Sequence, residues 1–406
     1  MTSNAPISVS TPADILSYVP HVLGFQPRES LVFITMAGKR VGATLRLDLP
    51  KDSTDPLDYA QGVREYLEAD SAADGVLMVL YTEQEWAEPE APPFAALVHC
   101  LDLVLDAAGL TLLDGWLISS SSWRDYFCDD AACCPWPGHP LAAITESVLN
   151  TELVFQGSSY ADSLEAAVGL LGSERQEDVH RLTCQYLAQW VGNWERTSVG
   201  HDSLVLWDSL IARVLDGGAL EAEPEVIAFL LAGLTRGSVR DGVIVLAGAG
   251  LDAASDAADQ AGILPAGMPR IALPAECARL IAEHLATRSP AEPLASEPGG
   301  SLFSEVFLAT SEFPDWQRLD AAYSIFLGFS AIAEGESRAA LLSILGWLEW
   351  ARGRGSRAHR FLQEALDETP AYTLAELLLQ LVGSGSLAPW ARSRDTSWTS
   401  EPRRVA

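Results

Sequence analysis

Lysine is almost missing from this 406-residue chain, since Lys39 and Lys51 are its only lysines and its other basic residues are arginines. Neither lysine follows a glycine-rich run of the G-x-x-x-x-G-K-[ST] type. In that loop the lysine reaches the β- and γ-phosphates of a nucleotide. The sequence therefore excludes a phosphate-binding loop of this kind.

Positive charge is scarce overall, because 26 Lys and Arg residues stand against 55 Asp and Glu residues, for a net charge of -29. A strongly negative field repels phosphate backbones and anionic lipids. We therefore expect no nucleic-acid partner and no membrane partner. The sequence leaves open whether the partner is a protein or a small molecule.

Long uncharged apolar runs are also missing, and residues 1–10 show neither the basic segment nor the apolar segment of a secretory signal. We therefore expect a cytoplasmic protein, in which disulfides are rare and the six cysteines stay reduced. Hydrophobic residues nevertheless make up 48% of the chain, which is enough for a large buried core.

Residues 1–150 alternate between strand and helix patterns. Thr11, Pro12 and Asp14 mark a helix start, because threonine caps, proline suits the first turn and aspartate opposes the positive end of the helix dipole. Strand patterns follow, including an alternating run at 41–49 whose apolar residues share one face. They are Val41, Ala43, Leu45, Leu47 and Leu49. The order strand, strand, helix, strand, helix, strand predicts an α/β domain with a mixed sheet, the last strands being parallel.

Beyond residue 150 the apolar spacing is helical almost throughout, which predicts an all-helical C-terminal region. We divide it into a helical middle region (151–287), a linker or mobile loop rich in Pro, Ser, Glu and Gly (288–302), a repeat-like helical region (303–385) and a frayed tail (386–406).

One pair of helices in the repeat-like region has residues of the size and spacing typical of a tetratricopeptide repeat. These residues are Leu342, Leu345, Gly346, Ala358, Leu362, Ala365 and Pro370. Glu349 departs from the pattern, which has tyrosine at that place. The spacing predicts a tetratricopeptide-like hairpin, and an ordinary helical bundle is the alternative.

Four arginines lie in and after the turn of this hairpin, at Arg352, Arg354, Arg357 and Arg360. We favour a solvated turn. The alternative hypothesis is a docking patch for a carboxylate-rich peptide, because the cations stand together in an otherwise acidic chain.

Three thiols and an imidazole occur within a short polar segment, at Cys128, Cys133, Cys134 and His139. We expect this segment, 119–140, to be a loop. Zinc binds thiolates and imidazoles in a tetrahedron, but structural zinc sites usually have two C-x₂₋₄-C pairs, which this spacing does not match. We therefore favour packing of small thiols, with zinc binding and a redox or nucleophilic thiol as alternatives.

A second polar set, His21, Ser30, Arg46 and Asp48, surrounds the first two strands. Arg46 and Asp48 share one face of a strand because they are two residues apart. Serine, histidine and aspartate occur together in hydrolases, but a triad is defined by geometry, and the chain has no G-x-S-x-G elbow. We favour an Arg–Asp pair on a solvent face and a capping histidine.

Residues 248–253 (GAGLDA) follow an apolar run and match the G-x-G-x-x-A fingerprint of dinucleotide-binding proteins. That fingerprint requires a strand–helix–strand unit, whereas helical patterns surround this one. We therefore predict a helix broken by glycines and assign no cofactor, zinc being the one candidate. The isolated histidines, His99, His180, His201, His284 and His359, are expected to be core or surface residues.

Several short blocks occur in a fixed order along most of the chain. They are Thr11 to Asp14, Pro20 to Pro27, Ser30 to Val32, Arg46 to Pro50, Trp123 to Pro135, Val239 to Asp241 and Ala358 to Leu378. Together they resemble the bacterial domain of unknown function 4192 family. The resemblance implies no activity and no catalytic residues. It does imply that the cysteine segment and the Arg46/Asp48 strand are features of the family.

The leading interpretation is a non-catalytic binding or scaffold protein, because no strong catalytic constellation is present and the helical rear resembles a repeat. The alternative is a hydrolase, or a thiol- or zinc-dependent enzyme, with its site between the first two strands and the cysteine segment. Convergence of His21, Arg46 and Asp48 with the three cysteines on one pocket would favour the enzyme, and dispersal would favour the binding protein.

Overall fold

The computed structural model describes residues 9, 11–51, 53–84, 86, 91–168, 176–190, 199–260, 273–288, 302–310, 314–393 and 395–399. The chain divides into two compact units, Met1–Gly169 and Leu170–Ala406. The front unit combines a mixed sheet with helices and the rear unit is helical, as the sequence predicts.

The regular elements of the front unit alternate in type along the chain. They are α1 (Pro12–Leu23), β1 (Ser30–Ala37), β2 (Arg40–Asp48), α2 (Pro56–Leu67), β3 (Gly75–Tyr81), α3 (Ala95–Ala107), β4 (Thr111–Ile118), β5 (Ser122–Asp125), β6 (His139–Pro140), α4 (Ala142–Thr145), α5 (Val148–Phe155) and α6 (Leu164–Val168).

The six strands form one sheet in the order β2-β1-β3-β4-β5-β6. Strands β3 and β4 are parallel, which confirms the prediction for the last long strands, and the other neighbours are antiparallel. The expectation that 119–140 is entirely a loop is wrong, because it contains β5 and β6. Trp123 of β5 is buried and pairs with Ile118 and His139, and a four-residue strand is too short to show a period in the sequence.

Helix α1 begins as predicted. The Thr11 hydroxyl accepts from the Asp14 N–H at 3.3 Å, and the Asp14 carboxylate accepts from the Thr11 N–H at 3.0 Å. This reciprocal capping satisfies two helix-end donors. Leu16 and Val19 of α1 pack against one face of the sheet, and α2 and α3 cover the other.

The alternation predicted that the apolar residues of β2 share one face of the sheet. In the structure they lie on both faces. A bulge in the β1–β2 pairing lies opposite Thr35, because Ile34 pairs with Thr44 whereas Met36 pairs with Val41. One extra residue reverses the alternation beyond it. Val41 therefore packs on the α1 side of the sheet, and Leu45 packs on the α2 side.

Helices α4 and α5 belong to the front unit, so the predicted boundary after residue 150 lies too early. The Asp14 carboxylate accepts from the Leu149 N–H at 3.2 Å, and the Ser147 hydroxyl donates to Ser17 at 3.0 Å. These buried contacts join α5 to α1 across a long sequence separation that no local pattern reports.

The rear unit is built from helices. In the described residues these are α7 (Gln176–Trp190), α8 (Val199–Leu215), α9 (Pro224–Leu234), α10 (Gly237–Gln260), α11 (Ala275–Thr287), α12 (Leu302–Phe307), α13 (Trp316–Ser330), α14 (Gly335–Ala351), α15 (Gly355–Glu368), α16 (Thr373–Gly383) and a 3₁₀ helix (Pro389–Arg392). Among the described residues, no helix combines the length and the apolar character that crossing a bilayer requires.

The fingerprint-like segment lies inside α10, where the backbone is non-helical at Gly250 (φ 85°). The prediction of a helix broken by glycine is therefore confirmed. A positive φ of this size strains any residue with a Cβ.

The predicted hairpin is formed by α14 and α15. An added Cβ at Gly346 would lie 2.7 Å from Cγ of Leu362, so a small residue is required where the two helices meet. The assignment of this hairpin as a tetratricopeptide repeat stays a prediction.

The predicted frayed tail is wrong for the described part of 386–399. Trp390 is 2% exposed, and the Trp316 indole donates to the Thr396 carbonyl at 2.7 Å. A single tryptophan in a polar segment has no periodicity that reveals its docking. The predicted linker lies almost entirely in residues 289–301, outside the described residues.

Candidate functional site

The polar set predicted around the first strands is not one site. The Ser30 hydroxyl donates to the Arg28 carbonyl at 2.7 Å, and Nη2 of Arg46 lies 2.6 Å from Oδ1 of Asp48. Arg46 and Asp48 form the predicted ion pair, but the predicted solvent face is found only for Asp48, because the Arg46 side chain is 11% exposed. His21 hydrogen-bonds with neither Ser30 nor Asp48.

His21 instead joins α1 to the end of α5. Its Nδ1 lies 2.9 Å from the Ser158 hydroxyl and its Nε2 lies 3.0 Å from Oδ1 of Asn150. The Asn150 amide nitrogen donates to the Thr145 carbonyl at 2.7 Å, which orients Oδ1 toward the ring. A neutral His21 therefore carries its proton on Nε2 and accepts the Ser158 proton at Nδ1.

The three cysteines of the predicted cluster come together in the segment that follows β5. Their Sγ atoms all lie within 4.8 Å of one another. The Asp130 carbonyl accepts from the N–H groups of Cys133 (3.1 Å) and Cys134 (2.7 Å), which turns the chain so that both thiols face Cys128. Cys134 is buried and Cys133 is exposed, so the cluster lies at the surface. All six cysteines of the chain are free thiols.

His139, the fourth predicted ligand, is not part of this group. Its Nε2 lies 3.1 Å from the Cys133 carbonyl, and its ring packs on Trp123 at 4.6 Å between centroids. Because β6 pairs His139 with Trp123, the imidazole is fixed against the sheet. It supports the backbone of Cys133 and does not reach the thiols as a ligand.

Two of the three thiols, Cys133 and Cys134, have a raised pKa. The hydrogen bond with Cys128 raises the pKa of Cys133, and burial raises the pKa of Cys134 to about 11. A nucleophilic or redox-active thiol needs a lowered pKa. Cys133 and Cys134 therefore lack the lowered pKa of a nucleophile, whereas a coordinating cation would displace their protons.

Arg124 of β5 lies beside the cluster and is 6% exposed. Its guanidinium lies over the faces of Trp86 and Trp136, 4.3 and 4.5 Å from their centroids, and these two rings are nearly perpendicular to each other. Its Nη2 donates to the Cys128 carbonyl at 3.4 Å, and its Nε and Nη1 have no hydrogen-bond partner among the residues that the structure describes. In the described part of the chain no carboxylate forms an ion pair with it.

A depression of about 440 Å³ adjoins the cluster. It is lined by Asp102, Leu112, Leu113, Asp114, Asp125, Phe127 and Cys128. Burial raises the pKa of Asp114, which also lies close to Asp125. The depression contains Cys128 but none of His21, Arg46 and Asp48, so the two predicted polar sets do not converge in it.

A model of the family described as Domain of unknown function (DUF4192) matches residues 12–295 and 312–387. The chain belongs to this family. No curated protein and no solved structure matches the chain.

In this DUF4192 protein the four arginines of the rear hairpin form neither a solvated turn nor a free docking patch. Arg352, Arg354 and Arg357 turn inward, with guanidinium nitrogens 3.1, 3.7 and 3.9 Å from the carboxylate of Glu349, which is 0% exposed. Arg360 pairs separately with Glu364 on its own helix. The prediction of a solvated turn is wrong because the buried Glu349 carboxylate attracts these three guanidinium groups.

The sequence did not single out several residues that the DUF4192 structure brings together. Asn150 and Ser158 are ordinary polar residues of a helix and a turn, and only the fold places them at His21. His284, predicted to be isolated, lies with Nε2 2.7 Å from Oδ2 of the buried Asp208. A basic residue between two aromatic residues, as in Trp123-Arg124-x-Tyr126, was the one local signal for Arg124.

Proposed function

We propose that this DUF4192 protein is a non-catalytic binding protein whose front unit holds one zinc ion through Cys128, Cys133 and Cys134. The mutual approach of their three Sγ atoms within 4.8 Å supports this. A tetrahedral zinc with Zn–S bonds of about 2.3 Å sets its sulfurs roughly 3.8 Å apart. A small contraction of the loop would bring the thiols to that spacing.

Three protein ligands leave one tetrahedral position open. Structural zinc sites are usually closed by four protein ligands, whereas sites with three bind water or an external group. His139 is held against Trp123, so the fourth position would be available to a group from a partner. This openness fits a binding role. A reducing cytoplasm would keep the thiols available for the metal.

A catalytic role for the predicted polar set receives no support from its arrangement. Arg46 and Asp48 lie on β2, at one edge of the sheet, and the cysteines follow β5, near the other edge. Active sites bring their titratable groups into one cleft. The dispersal of these residues favours the binding protein.

Thiol alkylation tests the zinc proposal. Purified full-length protein is treated with iodoacetamide, with and without added zinc, and each cysteine is quantified by peptide mass spectrometry. Zinc should protect Cys128, Cys133 and Cys134 by at least about tenfold, because a coordinated thiolate alkylates slowly. Cys184, exposed and outside the cluster, is the control and should react equally in both samples. If zinc leaves the alkylation of Cys128, Cys133 and Cys134 as unchanged as that of Cys184, the proposal is rejected.

A second candidate function, ester hydrolysis, is favoured by the hydrogen bonds of His21. Asn150 orients the ring and Ser158 donates its proton to Nδ1, which is the relation of orienting residue, base and nucleophile in serine hydrolases. The Ser158 oxygen would attack the acyl carbon, and His21 would pass the proton to the leaving alcohol. Water would then release the acyl group by the same route.

A fluorophosphonate probe distinguishes this candidate from the binding protein. A hydrolase should be labelled at Ser158, and labelling should disappear in Ser158→Ala and His21→Ala. Ser121→Ala, which removes an exposed hydroxyl, should be labelled as strongly as the parent protein. A folded parent that is not labelled at Ser158 would remove the hydrolase candidate and leave the zinc proposal untouched.

A further inference from the structure

Arg124 is a buried cation whose charge is not balanced by any carboxylate in the described part of the chain. An unpaired buried charge is strongly unfavourable, so a buried cation calls for a negative partner. The indole faces of Trp86 and Trp136, which are nearly perpendicular to each other, stabilise the guanidinium from two sides. Among the described residues, Nε and Nη1 of Arg124 have no hydrogen-bond partner.

The cysteine cluster is next to this cation. Nη2 of Arg124 donates to the carbonyl of Cys128, so the guanidinium borders the residue that carries one of the three thiols. Three thiolates around a divalent cation have one net negative charge. One guanidinium neutralises it.

We infer that Arg124 is the counter-charge of the metal–thiolate cluster, a positioning residue that selects a divalent, thiophilic cation. The inference rests on the proposed zinc site and deepens it. It explains why a cation is kept at 6% exposure beside three thiols. A monovalent ion such as Cu(I) would leave the assembly with an uncompensated negative charge, so zinc, cadmium and cobalt(II) should bind in preference.

The inference predicts an energetic coupling between charge at position 124 and charge at position 128. Arg124→Met removes the guanidinium and keeps a long side chain. Cys128→His replaces a thiolate with a neutral ligand that zinc also accepts, so the metal complex becomes neutral without Arg124. The two changes together should therefore cost less than the sum of the separate changes.

Zinc affinity is measured on the full-length chain by competition with a chromophoric chelator, with cobalt(II) absorption as an independent readout of thiolate coordination. Arg124→Met should weaken zinc binding by about 10–100-fold, which is the usual effect of removing a side chain that contacts a metal-binding residue. Arg124→Lys, which keeps the charge, should recover part of it. In the Cys128→His background, Arg124→Met should cost less than about threefold.

Arg46→Met is the matched control, because Arg46 is also a largely buried arginine of the same sheet. It should leave zinc affinity within about twofold of the parent. Circular dichroism of each variant checks that the sheet is retained. If Arg124→Met does not fold, Arg124→Lys is compared in the parent and in the Cys128→His background. Because lysine keeps the positive charge, the effects of Arg124→Lys and Cys128→His on zinc affinity should simply add.

The outcomes separate the two proposals. A parent protein that binds no zinc overturns both. A parent that binds zinc with an affinity unchanged by Arg124→Met overturns the counter-charge alone. An equal loss on Arg124→Met in the parent and in the Cys128→His background would mean that Arg124 shapes the loop without acting through its charge, and would also overturn it.

Discussion

Nη1 of Arg352 lies 3.1 Å from Oε1 of Glu349, a side chain with 0% exposure. The same guanidinium lies 2.5 Å from Asp320 and packs over the Tyr323 ring at 4.1 Å. Glu349 stands where the tetratricopeptide pattern has tyrosine, and it is the residue around which the hairpin turn is organised. Removal of a buried carboxylate that is shared by several cations takes a charged partner from each of them.

Replacement of Glu349 should therefore destabilise the rear unit. Glu349→Gln should lower the free energy of unfolding by about 3–5 kcal/mol, the usual cost of removing one partner of a buried ion pair. Urea unfolding followed by circular dichroism measures it. Glu364→Gln, which breaks the partly exposed pair with Arg360, should cost less than about 1 kcal/mol. Equal effects would show that Glu349 does not organise the turn.

The second prediction concerns Asp208 and acid. Burial raises the pKa of Asp208, but the hydrogen bond from His284 and the charge of Arg318 outweigh burial and lower it. A carboxyl with a lowered pKa stabilises the folded protein fully above its unfolded pKa, near 4. The stabilisation is lost as the pH falls through the folded value.

Asp208→Asn should consequently be about 3 kcal/mol less stable at pH 7 and should lose less stability than the parent between about pH 5 and pH 2. Unfolding midpoints in urea across this range measure the difference. Asp178→Asn, at an exposed pair with Arg181, should follow the parent curve. Parallel curves for the parent and Asp208→Asn would contradict the role of this carboxylate.

The third prediction tests the docking of the C-terminal segment. Trp390→Ala should cost about 3–5 kcal/mol, because it leaves a cavity against Trp316 and Trp347. Thermal or urea unfolding measures this, and Leu377→Ala, at a side chain that is 56% exposed, should cost about 0.5 kcal/mol or less. A negligible effect of Trp390→Ala would restore the prediction of a frayed tail.

The fourth prediction concerns the bulge in β2. The Thr35 hydroxyl donates to Asp70 at 2.6 Å and accepts from the Ala43 N–H at 2.7 Å. Thr35→Val keeps the shape and removes both bonds, so it should cost about 1–3 kcal/mol. Thr111→Val, on an exposed strand position, should be nearly neutral. Equal stability of the two variants in urea would mean that the bulge is held by other contacts.

The sequence predicted those parts of the fold that local patterns decide. The cap formed by Thr11 and Asp14 and the glycine break in α10 are examples, because capping and positive φ depend on a few neighbouring residues. The face of Val41 was predicted wrongly, because one extra residue in a bulge reverses an alternation that is otherwise regular. Trp390 was missed because a single buried tryptophan has no period.

The candidate site could be predicted only in part. The cysteines are close in sequence, so their approach in space was a realistic expectation, but the fixation of His139 by Trp123 depends on strand pairing. The partners of His21 come from residues more than a hundred positions away, at Asn150 and Ser158. Long-range contacts of this kind depend on the packing of α5 against α1, which no local pattern encodes.

Metal content of the protein as isolated tests the zinc site most directly. Full-length protein is purified without chelators, and native mass spectrometry counts zinc per chain in the parent and in Cys133→Ser/Cys134→Ser. We predict about one zinc per parent chain and less than about 0.3 per chain in the double variant, since one thiolate cannot hold the ion alone. A parent that carries less than about 0.3 zinc per chain, or a double variant that carries as much as the parent, would contradict the account.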